Sequence, residues 1–89
     1  MNYQTQEFRL HHEDTLIELA IYLARYEGLE TLYEVRKLVR DYMLDLENQA
    51  ELIHDSFLQG LIYDGLQEVD VTLIEDNICD VLEISLDTY

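Results

Sequence analysis

His11, His12, Glu13 and Asp14 place four potential metal ligands in consecutive positions, and His54, Asp55 and Ser56 contain the residue types of a nucleophilic relay. Neither pattern has the spacing its chemistry needs. The first lacks the third His or the Cys pair that would close a zinc shell. In the second, neighbours on a helix point about 100° apart, so a Ser, a His and an acid in direct succession cannot meet as a relay. Both read as polar residues of helix lead-ins and edges. The single cysteine, Cys79, is flanked by Asp76 and Asp80, which disfavour its thiolate and leave it a small strand residue. Gly28, Gly60 and Gly65 lie too far apart for a phosphate-cradling loop, and EDNICD lacks the glycine and the acid positions of a calcium loop. No catalytic, cofactor-binding or metal-ligating residue is assigned, no cofactor is expected, and the chain reads as non-enzymatic.

Charge is the remaining chemistry. The formal net charge is -15 over 89 residues, and it is unevenly spread. Residues 1–40 hold seven acids and all five basic residues, Arg9, Arg25, Arg36, Lys37 and Arg40; residues 41–89 hold thirteen acids and no Lys or Arg. Direct nucleic-acid binding is excluded as the main activity, because such binding is driven by cations that neutralise phosphates. A basic protein is the natural partner of this surface.

The elements that position these acids follow from periodicity. Residues 6–10 alternate and predict a short strand carrying Phe8 and Leu10. From Thr15 the motif TLIE has the Thr and Glu of a capping box, and Leu16, Ile17, Ala20, Leu23 and Ala24 follow at helical spacing until Gly28. This helix is apolar around most of its circumference, which suits either the centre of a core or a subunit interface. TLYE at Thr31 to Glu34 predicts a second, long helix to Gly60, with Asn48 and Glu51 as a pair that could break it. Its charges run against the helix macrodipole, since Arg36, Lys37 and Arg40 lie near the start and Glu47, Glu51 and Asp55 near the end.

After the turn signal at Asp64 and Gly65, Val69, Val71 and Leu73 alternate with polar residues, as do Leu82, Ile84 and Leu86. Period two on both sides of Glu75, Asp76 and Asn77 predicts an antiparallel hairpin. A competing helix would be capped by Thr72, with Ile74, Ile78, Val81 and Leu82 on one face. The fold expected is therefore a single α+β domain: two helices, the second one long, packed on a small antiparallel sheet with a C-terminal β-hairpin.

On that frame Asp41, Asp45, Glu51, Asp55, Asp64, Glu68, Asp70, Glu75, Asp76, Asp80, Glu83 and Asp87 fall off the apolar faces and form the expected partner-binding surface. An array of carboxylates resembles, in charge, the phosphates of a nucleic acid. The expected function is inhibition of a nuclease or similar protein by occupation of its basic groove. In size and composition only, the chain resembles phage nucleic-acid mimics of anti-restriction and anti-CRISPR type and the acidic immunity proteins of nuclease toxins; no family motif accompanies the likeness. The alternative is an acidic adaptor or oligomeric structural protein without mimicry. The apolar first helix and the seven tyrosines also point to a homodimer. With one cysteine, no secretory signal and no apolar run long enough to span a bilayer, a cytoplasmic protein without membrane contact is expected.

Overall fold

The computed structural model describes residues 1–86. Its elements are α1 (Tyr3–Phe8), a π-helical turn (Arg9–Glu13), α2 (Asp14–Tyr26), α3 (Leu32–Ala50), α4 (Ser56–Gln67) and α5 (Val71–Leu82). Phe8, Arg9, Glu13 and Asp14 keep right-handed helical backbone angles, so α1, the π turn and α2 form one continuous rod. The described residues thus make four helical rods and no strand. The α+β fold expected from the sequence, with its sheet and C-terminal hairpin, is replaced by an all-helical one.

The segment read as a hairpin is the clearest correction. Asp70, not Thr72, caps α5: its side chain accepts a hydrogen bond from the backbone N–H of Leu73. Val69 before the cap and Ile74 four residues after it both lie in the core, the two positions of a hydrophobic staple. From there Ile74, Glu75, Ile78 and Cys79 form the buried face. Of the alternating residues that suggested strands, Val69 precedes the cap, Val71 lies on the exposed side of the helix, and Ile84 and Leu86 lie beyond its end. Residues 6–10, the other expected strand, belong to α1 and the π turn.

The helix expected to begin at Thr15 begins at Tyr3. Asn2 is its cap, accepting the Thr5 N–H at 2.8 Å, and Thr15 is an exposed residue inside the rod. Gly28 ends α2 in the left-handed region at φ 75, with the Leu29 N–H bonded back to the Leu23 carbonyl at 3.2 Å. Thr31 does cap α3. Its hydroxyl accepts the Glu34 N–H at 3.3 Å and donates to the Glu34 carboxylate at 3.0 Å. The long helix predicted to reach Gly60 is two helices, since α3 stops at Ala50 and Asp55 caps α4 by accepting from Phe57 and Leu58. The apolar spacing ran through this break because Phe57 continues it in sequence, yet Phe57 is 73% exposed.

The core is a single cluster in which Leu16 and Ala20 of α2, Val35 and Val39 of α3, and Ile74 and Ile78 of α5 are almost fully buried. α5 packs against both α2 and α3, and α3 packs against α2, α4 and α5, so α3 takes the central place that one of the two sequence readings gave to the first helix. On α2, Leu19, Tyr22 and Tyr26 are exposed. Among the described residues no helix is long and apolar enough to cross a membrane.

Candidate protein-binding surface

Asn2 and Thr5 fasten the rod to the turn between α4 and α5. The Asn2 side-chain amide donates to the Glu68 carbonyl at 2.7 Å, and the Thr5 hydroxyl, fully buried, accepts the Asp70 N–H at 2.8 Å. These two bonds fix the backbone on which Glu68 and Asp70 stand. Sequence reasoning missed both residues, because short polar side chains near a terminus carry no periodic signal. The only available sign was the Asn at position 2 ahead of a helical stretch.

Of the acids assigned to the binding surface, Asp41, Asp45, Glu51, Asp55, Asp64, Glu68, Asp70, Asp76, Asp80 and Glu83 are exposed. Among the described residues no ion pair engages any of them. They divide into two groups. Asp41 and Asp45 lie one turn apart on α3, with Glu51 and Asp55 in the connection that follows. Asp64 on α4 leads through Glu68 and Asp70 in the turn to Asp76 and Asp80, one turn apart on α5, and then to Glu83 at its end. Asp55 and Asp70 have a second duty as helix caps, and Asp45 accepts a hydrogen bond from Gln49 at 3.0 Å. Asp87 lies outside the described residues.

Glu75 is not part of this surface. It is buried, with its carboxylate 3.7 Å from the Arg36 guanidinium. Burial is the main cause that raises its pKa above the ordinary glutamate value; Arg36 pulls the other way, and Asp76 and Asp70 add to the rise. The same environment, burial first and then Asp76 and Glu75, raises the pKa of the buried Cys79 thiol.

The residues that resembled a metal or catalytic cluster are dispersed. His11 pairs with Glu7 at 3.3 Å on the exposed side of the rod. His12 turns inward to Phe8 and Tyr42, with its Nδ1 at 2.8 Å from the Tyr42 hydroxyl, and burial lowers its pKa. Glu13 binds Arg9 at 2.8 Å and accepts from Asn77 at 3.3 Å. Among the described residues no three His, Cys, Asp or Glu side chains converge as a metal site. His54, in the connection after α3, and Ser56, the first residue of α4, flank the cap Asp55, which is committed to backbone N–H groups.

No family model, curated protein or solved structure matches this chain.

Proposed function

We propose that this protein is a non-enzymatic inhibitor that lays its acidic surface into the basic nucleic-acid-binding groove of a partner such as a nuclease. The observation that carries the reading is the run from Asp64 to Glu83, where Asp64, Glu68, Asp70, Asp76, Asp80 and Glu83 are exposed and without a cation partner among the described residues. At a helical rise of about 1.5 Å per residue, Asp76 and Asp80 are separated by about 6 Å along α5. A nucleic-acid strand carries a phosphate about every 3.4 Å of helix axis, so the two charge densities differ by less than about twofold. Like charges so arranged repel one another, and a cationic groove relieves that repulsion while steering the encounter. The cytoplasm, where such partners act, is the proposed setting.

The test is capture on the immobilised protein, followed by elution. Nucleic-acid-binding proteins should be retained at low salt, released by added salt, and displaced by DNA or RNA. A variant with Asp76→Asn, Asp80→Asn and Glu83→Gln should lose them. Retention of the same partner in high salt, undisturbed by nucleic acid and by the three neutralising changes, would sink the proposal.

A second reading, an acidic adaptor without mimicry, is favoured by one observation on α4. That helix buries no residue fully, and Phe57, Leu58 and Leu61 are exposed on it, as is Leu52 in the connection before it. An apolar face of this kind is how adaptors hold partners. It predicts capture that Phe57→Ser and Leu61→Ser abolish and the carboxylate changes do not.

A further inference from the structure

The charges of α3 run against its own macrodipole, and the fold removes only part of that conflict. Arg36 is occupied with the buried Glu75 of α5. Lys37 and Arg40 are exposed, and among the described residues neither makes an ion pair. Toward the other end, Glu47 is half-buried and Glu51 exposed, also without a cation partner among the described residues. Leu44 lies between the two groups and is 52% exposed.

These residues form one stripe. Lys37, Leu44 and Glu51 recur every seven positions, as do Arg40 and Glu47, so four of them fall along one side of α3 and Glu51, its C-cap in right-handed helical conformation, continues the line. The stripe is basic in its first half, apolar in the middle and acidic in its second half. Such a pattern is complementary to itself when reversed. Two copies of α3 laid antiparallel about a two-fold axis near Leu44 bring Lys37 and Arg40 of each copy toward Glu47 and Glu51 of the other. The exposed leucines lie together at the crossing.

We infer that the protein forms a homodimer through antiparallel pairing of α3 with the α3 of a second copy. The charge order that is unfavourable along a single helix becomes favourable across the pair, because each basic half lies beside the neighbour's negative dipole end as well as its acids. The choice of a second copy over another partner rests on this self-complementarity, which is what a two-fold interface requires of a surface. It also rests on the net charge of -15 per chain. The stripe balances Lys37 and Arg40 against Glu47 and Glu51, so two such anionic molecules meet here on a strip without net charge, beside the exposed Asp41 and Asp45. The inference stands apart from the nucleic-acid mimicry proposed above, and it leaves the acids of α4 and α5 facing solvent.

The test uses two charge-reversed forms of the full chain, Lys37→Glu with Arg40→Glu and Glu47→Lys with Glu51→Lys, examined by sedimentation velocity. The wild type should sediment as a dimer. Each reversed form alone should sediment with half that mass, because its stripe now carries one sign throughout. An equimolar mixture of the two should recover the dimer, and Leu44→Asp should abolish it in the wild type. Recovery in the mixture cannot come from misfolded chains, so it separates loss of the interface from loss of the fold. A monomeric wild type, reversed forms that remain dimeric, or a mixture that stays monomeric would each overturn the inference.

Discussion

Replacing Thr5 with valine removes one oxygen from a site that has no access to water. The Thr5 side chain is fully buried, and its hydroxyl accepts the Asp70 N–H at 2.8 Å, tying the first helical turn to the cap of α5. Valine has nearly the same shape, so the Asp70 N–H is left without an acceptor, at a cost of about 1 to 3 kcal/mol. The added methyl returns about 0.8 kcal/mol, for a net loss of about 0.2 to 2 kcal/mol. For a domain of this size that lowers Tm by about 1 to 15 °C. Thr5→Ser is the control: it keeps the oxygen and loses a methyl worth about 1 kcal/mol.

Melting temperature alone does not separate the two variants, because both lose stability. Amide hydrogen exchange does. In Thr5→Val the Asp70 amide should exchange about tenfold faster than in Thr5→Ser, the ratio that about 1.4 kcal/mol produces. Equal protection of the Asp70 amide in both variants would refute the assignment of Thr5 as the residue holding the α4–α5 turn.

Glu75→Gln tests the buried carboxylate. Because the folded state raises the pKa of Glu75, it binds the proton more tightly than the unfolded chain, so stability falls as pH rises from the ordinary glutamate range through the raised value. The glutamine variant should therefore melt higher than wild type at neutral pH, with the gap closing on acidification; a lower Tm at neutral pH would mean that the Arg36 pair outweighs burial. Glu83→Gly addresses the C-cap of α5, where Glu83 sits in the left-handed region at φ 58. Relief of that conformation, less the backbone entropy of glycine, should stabilise the protein by about 0.5 to 1 kcal/mol in chemical denaturation. Unchanged or reduced stability would show that the strain is absent.

Helical signals in this sequence were readable where two independent features agreed. The Thr31 cap and the stripe through Leu32, Val35 and Val39 pointed to the same element, and α3 begins where they place it. Agreement did not fix every boundary: Thr15 with Glu18 has the capping-box spacing and helical spacing follows it, yet Thr15 lies inside a rod capped earlier by Asn2. Thr72 with Glu75 repeats the spacing inside a helix capped by Asp70. The hairpin rested on period two and on the β-branched residues that accompany it. Its proposed turn, Glu75-Asp76-Asn77, has no glycine, whereas a tight hairpin needs positive φ at its centre. The absence of any glycine from Leu66 to Leu86 was the signal that could have ruled it out.

For the surface, the type of chemistry was readable and its arrangement was not. Carboxylates resist burial in any fold, so their exposure follows from composition, and Glu75 departs from this beside Arg36. Which acids share a face depends on the period of the element beneath them. A strand would have set Asp70, Glu83 and Asp87 on one face, whereas the helix places Asp76 with Asp80 and leaves Asp70 as a cap. The misread period therefore displaced the surface without changing its sign. The same dependence accounts for α3, whose helical period was read correctly: the reversed charge order noticed in the sequence became a continuous self-complementary stripe once the structure showed that Glu75 engages only one of its three cations.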